Sequence, residues 1–189
     1  STVPYVSPEA SGWSQESCHI LNNYLFGVNE TVREYVRLTE ELDARDTPVV
    51  LVLFGDHKPW MGNGGSVYEE MGIDLDTSTL DGFRNYYTTP YLIWANRAAK
   101  EVLGADFTGD GGDFSPCFLM MRLFDECGWA GPGYMQLSRA MRDISPLVHV
   151  GGLFLQDGLP TFLLSDTDRS FYRSWVGVQY YREHIAEYS

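Results

Sequence analysis

The sequence predicts an α/β fold, a mixed sheet flanked by helices, on three observations. Val49-Val50-Leu51-Val52-Leu53-Phe54 is an apolar run without a polar break. That is the pattern of a strand covered on both faces in a parallel or mixed sheet. Tyr91-Leu92-Ile93-Trp94-Ala95 is a second apolar, aromatic-rich strand. Pro90 stands at its start, where no ladder donor is required. Amphipathic helical patterns precede the first run and follow the second.

Taken in order, residues 1 to 15 carry Pro4, Pro8, Gly12 and several serines and read as an extended entry. From about Ser17, Ile20, Leu21, Tyr24, Leu25, Val28, Val32, Tyr35, Val36 and Leu42 recur at helical spacing. The opposite, solvent-facing side is assigned Asn22, Asn23, Arg33, Glu34, Arg37, Glu40 and Glu41, with Gly27 and Asn29 able to loosen the helix midway. Asp46-Thr47-Pro48 punctuates the chain before the first strand. After it, Gly55 is read as letting the backbone turn. The segment Lys58 to Gly65 reads as a loop of the kind that carries active sites, and residues 71 to 83 as acidic and turn-rich.

Beyond the second strand, the alternating Asp and Gly of 106 to 113 lack the EF-hand spacing and its terminal Glu, and read as a plain loop. Ser115-Pro116 supplies an N-cap and a first-turn proline for a helix that ends near Gly128. Another helix covers Gly133 to Asp143. Val148 to Leu155 and Leu159 to Leu164 pair across Gln156-Asp157-Gly158, where Asp-Gly is a hairpin signal. Asp166-Thr167 caps a terminal helix with Phe171, Trp175, Val178, Tyr181 (or Val176, Tyr180) and Ile185 inward. At 189 residues the whole reads as one α/β domain.

Composition excludes several functions. Hydrophobic residues at 44% and charged residues at 21% are ordinary for a soluble globular chain. A net charge of −13 opposes nucleic acid and anionic membranes, so no nucleic-acid partner is expected. An anionic substrate would need a bound cation to reverse the local field. No apolar run approaches the roughly 20 residues of a membrane span, and no signal peptide is visible. Cys18, Cys117 and Cys127 form no Cys-x-x-Cys, and Cys117 and Cys127 read as buried small hydrophobes.

Chemistry is concentrated at Gly55-Asp56-His57. In α/β sheets ligands gather at the carboxyl ends of strands, and Asp56 and His57 are the first side chains offered there. On these residues alone, a plain strand end and a metal pair both stand. One carboxylate with one imidazole suits Mn²⁺ or Zn²⁺ better than Ca²⁺, with Mg²⁺ a further candidate. Two ligands are too few for a complete site. Asp74, Asp76 and Asp81 could add to them but read as solvated loop acids. His19, His149 and His184 read as structural. Lys58 and Trp60 are the candidate substrate-binding residues, Trp60 as a stacking surface for sugars. No serine-nucleophile elbow and no phosphate-binding glycine loop occurs.

Phe54-Gly55-Asp56-His57-x-Pro59 followed by Tyr86-x-Thr88-Thr89-Pro90-Tyr91-Leu92-Ile93-Trp94-Ala95-Asn96 resembles the lipoteichoic acid synthase branch of the sulfatase family, within the alkaline-phosphatase-like superfamily. Leu21-Asn22-Asn23-Tyr24, Phe114-Ser115-Pro116 and Trp175-x-x-x-Gln179-Tyr180 are similar to the same family in the same order. Thr2-Val3-Pro4-Tyr5 stands where the family often has His-x-Pro-Tyr, with Thr2 in place of His.

The resemblance implies the carboxyl-terminal part of a sulfatase-like sandwich, at the extracellular face of the cell membrane in the full-length protein. The implied activity is metal-dependent transfer of a phosphoglycerol or similar group, or phosphodiester hydrolysis, on an anionic lipid or polymer. Sulfatase or phosphonate-hydrolase chemistry is the alternative within the superfamily, and a glycan-binding module the alternative outside it. Asp56 and His57 match the family's adjacent metal ligands. The Thr or Ser nucleophile, the remaining ligands and the membrane helices are implied to lie in the preceding part of the polypeptide. The chain itself is expected to be soluble and inactive alone. An exposed sheet edge is expected to permit a homodimer.

Overall fold

The computed structural model describes residues 3–184, so Thr2 and Ile185 lie outside the described residues. The chain divides into two compact units, residues 1–102 and 103–189. Helices and small antiparallel sheets make the fold α/β.

In the first unit a short helix, α1 (Pro8–Ser11), leads into the 29-residue α2 (Gln15–Asp43). Ser14 caps α2 by accepting from the Ser17 amide at 3.1 Å. The helix runs unbroken past Gly27, whose carbonyl accepts from Thr31 Oγ1. Next come β1 (Val50–Phe54), a 3₁₀ turn at Asn63–Gly65, α3 (Ser66–Glu70) and α4 (Leu80–Tyr87). β2 (Tyr91–Ala95) and α5 (Arg97–Leu103) follow.

β1 pairs antiparallel with β2, Val50 opposite Ala95 and Phe54 opposite Tyr91. This corrects the parallel or doubly covered reading of β1. Its residues are half-buried and Phe54 is exposed, because the ribbon has two strands among the described residues. Residues 80–83, read as the end of the acidic, turn-rich segment, instead open α4. Thr79 caps it by accepting from the Gly82 amide at 3.0 Å.

The apolar centre of this unit gathers Leu21, Met61 and Val67, with Val6, Trp13, Ile20, Leu25, Tyr68 and Met71 against them. Only the first third of α2 contributes. Val28, Val32, Tyr35 and Val36, read as inward, are exposed. Asn22, assigned to the solvent side, is buried. Its Oδ1 accepts from the Tyr5 and Val6 amides at 2.7 and 3.0 Å. Its Nδ2 donates to the Val6 and Cys18 carbonyls at 2.7 Å each. One amide thereby fastens the extended entry segment to α2.

Glu70 makes a second fastening. Its carboxylate accepts from the Ser14 amide and hydroxyl at 2.6 and 2.7 Å, and from the Ser17 hydroxyl at 2.9 Å. The Ser14 side-chain bond is the main reason its pKa lies below the ordinary 4.5. A depressed carboxylate stabilises the fold above its unfolded pKa and loses that contribution as pH falls through the folded value. Glu70→Gln is therefore expected to lower the urea midpoint at neutral pH. The gap from the parent should shrink steadily below pH 4.5, which a pH series of urea melts reads directly.

In the second unit, a 3₁₀ turn at Pro116–Phe118 opens α6 (Leu119–Glu126), followed by α7 (Gly133–Ile144). The hairpin β3 (Phe154–Gln156) and β4 (Leu159–Thr161) precedes α8 (Asp166–His184). The hairpin turns on Asp157 and Gly158, at φ 52° and 76°, the paired positive values of a type I′ turn. Ser165, not Asp166-Thr167, caps α8, accepting from the Asp168 amide at 3.1 Å. Ser115 makes no side-chain cap. Its hydroxyl instead exchanges bonds with the carbonyl and amide of Val148 at 3.0 and 2.8 Å.

Phe118, Met121, Met141 and Trp175 form the centre of this unit. The Trp175 indole N–H donates to Ser138 Oγ at 3.1 Å. Asp125 joins α6 to α7 by accepting from Arg139 Nε and Arg142 Nη1, both at 2.8 Å. Of the face assigned to α8, Phe171 and Trp175 point inward together with Tyr172. Val178 and Tyr181, and equally Val176 and Tyr180, are exposed. Cys127 is buried as expected, but Cys117 is exposed, because its neighbour Phe118 takes the inward position. Desolvation around the Cys117 thiol nevertheless pushes it up to about 11.

Candidate functional site

The backbone that presents Asp56 and His57 is set by Thr89 and Pro90, the two residues before β2. The Gly55 amide donates to the Pro90 carbonyl at 3.0 Å. The Gly55 carbonyl accepts from Thr89 Oγ1 at 2.7 Å. A side chain at position 55 would bring its Cβ to 3.0 Å from Thr89 Cβ. Gly55 is absent from the positive-φ glycines, so its role is close approach and not the turn inferred from sequence.

From there Asp56 and His57 project together. The His57 amide donates to Asp56 Oδ1 at 2.9 Å, and His57 Nε2 lies 3.4 Å from Asp56 Oδ2. His57 Nδ1 lies 2.9 Å from the Lys58 carbonyl oxygen. A ligating imidazole commonly donates from its other ring nitrogen to a backbone carbonyl, and His57 Nδ1 is placed for that contact with Lys58 O while Nε2 faces the Asp56 carboxylate. Both side chains are more than three-quarters exposed.

The loop beyond them is anchored on both sides of Trp60. Tyr68 Oη donates to the Pro59 carbonyl at 2.9 Å, and Met61 is buried against Leu21 and Val67. Trp60, between these anchors, is 78% exposed. Lys58 is half-buried. An indole projecting from a fixed backbone can stack without first ordering its loop. Periodicity could not identify Met61, Tyr68 or Thr89 as supports, since each acts through a partner distant along the chain.

The other acids are occupied in turns. Asp74 accepts from the Asp76 amide at 2.8 Å and from Thr79 Oγ1 at 2.9 Å. Asp76 accepts from the Ser78 amide at 2.9 Å, and its pKa is lowered, chiefly by the Ser78 hydroxyl. These bonds shape the entry to α4 and are not directed at a common point. His184 stacks on Tyr180 with ring centroids 4.4 Å apart. His149 Nδ1 accepts from the Gly151 amide at 3.1 Å. Among the described residues no group of three His, Cys, Asp or Glu is arranged to hold a metal ion. Asp56 and His57 together offer one carboxylate and one imidazole, two groups of the kind that suits a divalent cation. Among the described residues, no helix is long and apolar enough to cross a membrane.

No family model matches the chain, and no solved structure matches it. A protein of Rhizobium meliloti (strain 1021), named "Putative cyclic beta-1,2-glucan modification protein", is similar to it. The two are 26% identical over 120 residues, 61% of this chain. The match spans 17% of that relative's length.

Proposed function

We propose that this chain is part of a metal-dependent phosphoglycerol transferase or phosphodiesterase acting on cell-envelope polymers or lipid head groups, to which it contributes Asp56 and His57 as metal ligands. The observation that carries the reading is the adjacent pair at the end of β1. There His57 Nε2 lies 3.4 Å from the Asp56 carboxylate while Nδ1 faces the Lys58 carbonyl at 2.9 Å. The relative named for modifying a cyclic glucan supports a polymeric, sugar-containing substrate.

In this reading a divalent cation, Mn²⁺ before Zn²⁺ or Mg²⁺, supplies Lewis-acid polarisation of a phosphoryl oxygen when bound. Asp56 brings the negative charge and His57 a neutral nitrogen. Lys58 offers an ammonium to an anionic group, and Trp60 an apolar face to a sugar ring. The remaining ligands and the nucleophile belong to the preceding part of the polypeptide, whose extracellular location the same reading implies.

The test is a Mn²⁺ titration followed by paramagnetic broadening of the His57 ring signals. Weak binding by the 189-residue chain and its loss in Asp56→Ala are the expected results. An affinity unchanged by Asp56→Ala would sink the metal reading. Robust esterase turnover by this chain alone would refute the division of the site between two parts. The exposure of Trp60 favours one other reading, a glycan-binding module. It predicts metal-independent binding of glucan oligosaccharides, abolished by Trp60→Ala and untouched by Asp56→Ala.

A further inference from the structure

We infer that Thr89 is a positioning residue for the Asp56–His57 pair, acting through the carbonyl of Gly55. The inference rests on reading that pair as metal ligands. Three observations carry it. Both backbone polar groups of Gly55 are held by consecutive residues of one partner segment, the carbonyl by Thr89 Oγ1 at 2.7 Å and the amide by Pro90 O at 3.0 Å. The glycine lies so close to Thr89 that a Cβ would meet its side chain at 3.0 Å. Finally, the hydrogen bonds continue outward without a gap. The Gly55–Asp56 peptide plane is set by the Thr89 bond, Asp56 Oδ1 takes the His57 amide at 2.9 Å, and His57 Nδ1 lies 2.9 Å from Lys58 O.

The Thr89 bond falls one residue beyond the last ladder pair, Phe54 with Tyr91, where Pro90 has no N–H to offer the Gly55 carbonyl. A carbonyl at a strand end is otherwise free to rotate with its peptide plane, and such rotation swings the following Cα–Cβ direction. The Thr89 hydroxyl removes that freedom where the two candidate ligands begin. Outer groups that fix ligand orientation typically govern metal affinity by about 10- to 100-fold.

The experiment compares the parent chain, Thr89→Val, Thr89→Ser and Asp56→Ala. Each is titrated with Mn²⁺, and the ¹⁵N shifts of the His57 ring are recorded without metal. Valine keeps the shape and removes the hydroxyl, whereas serine keeps the hydroxyl and removes the methyl. Thr89→Val is expected to weaken Mn²⁺ binding about tenfold and to change the ¹⁵N shifts of the His57 ring. Thr89→Ser should retain the parent values in both measurements. Parent-like affinity and ring shifts in Thr89→Val overturn the proposal, as does equal impairment of the valine and serine variants. If the parent affinity is too weak to measure, the ring shifts alone decide. Asp56→Ala serves a separate purpose: unchanged affinity there removes the metal reading itself and leaves the Thr89–His57 coupling to be judged by the ring shifts.

Discussion

Replacing Asn96 by Ala is expected to destabilise the first unit by about 3 kcal/mol or more. Asn96 has no exposed surface. Its Oδ1 accepts from the Val49 and Ala99 amides, each at 2.9 Å. Its Nδ2 donates to the carbonyls of Leu42 and Thr47, also at 2.9 Å. One side chain thus joins the end of α2, the entry to β1 and the first turn of α5. Truncation leaves the Val49 and Ala99 amides and the Thr47 carbonyl to find water or go unpaired, while the Leu42 carbonyl keeps the Arg45 amide, and an unsatisfied buried polar group typically costs about 1–3 kcal/mol.

Asn96→Asp sharpens the test. It keeps the acceptor for Val49 and Ala99 but sets an oxygen against the carbonyls of Leu42 and Thr47. At neutral pH it should destabilise at least as much as alanine. Urea unfolding gives the magnitude, and amide hydrogen exchange should show Val49 and Ala99 losing protection first. A loss below about 1 kcal/mol for Asn96→Ala would mean that these four bonds are replaced by water without penalty.

Trp175→Ala is expected to cost the second unit about 3–5 kcal/mol, the range for emptying an aromatic site in a packed core. Trp175 is 3% exposed and lies against Phe118, with ring centroids 5.6 Å apart. It carries a polar contact besides packing, because its indole N–H donates to the fully buried Ser138. Trp175→Phe should keep part of the ring contact while stranding the Ser138 hydroxyl, at a cost of about 1–3 kcal/mol. Adding Ser138→Ala to Trp175→Phe should cost less than the sum of the two single changes, since the second substitution removes the stranded group. Strict additivity would show that the indole–hydroxyl bond contributes nothing. Near-ultraviolet circular dichroism with chemical denaturation distinguishes a loosened core from a lost one.

The segments legible in the sequence were those whose signals are local. The long helix of α2, the strands β1 and β2, the Asp157-Gly158 hairpin turn and the α7 helix follow from periodicity, unbroken apolar runs and turn chemistry. Asp56 and His57 were legible as candidates because they directly follow a strand end. The sequence also showed that two ligands do not complete a site. α4 was missed because its eight residues follow a run of acids and turn formers, and because the Thr79 cap is recognisable only once the helix is known.

What sequence could not supply was the destination of polar side chains whose partners are remote. Asn22 lies between apolar helix positions and reads as solvent-facing, yet the entry segment covers it and takes three of its four hydrogen bonds. Val28, Val32 and Val36 have the spacing of a buried stripe, but spacing does not say whether anything packs against it. Ser115 carries the signature of a cap and bonds to Val148 instead.

Gly55 shows the distinction most directly. Its identity announced a special backbone position, but not whether conformation or space was the reason. Only the register of β1 against β2, which brings Thr89 to 3.0 Å from the missing Cβ, decides for space. The chain's own chemistry therefore determined which residues could serve as ligands. The tertiary structure decided how they are held, because orientation depends on hydrogen bonds between segments whose proximity no local pattern encodes.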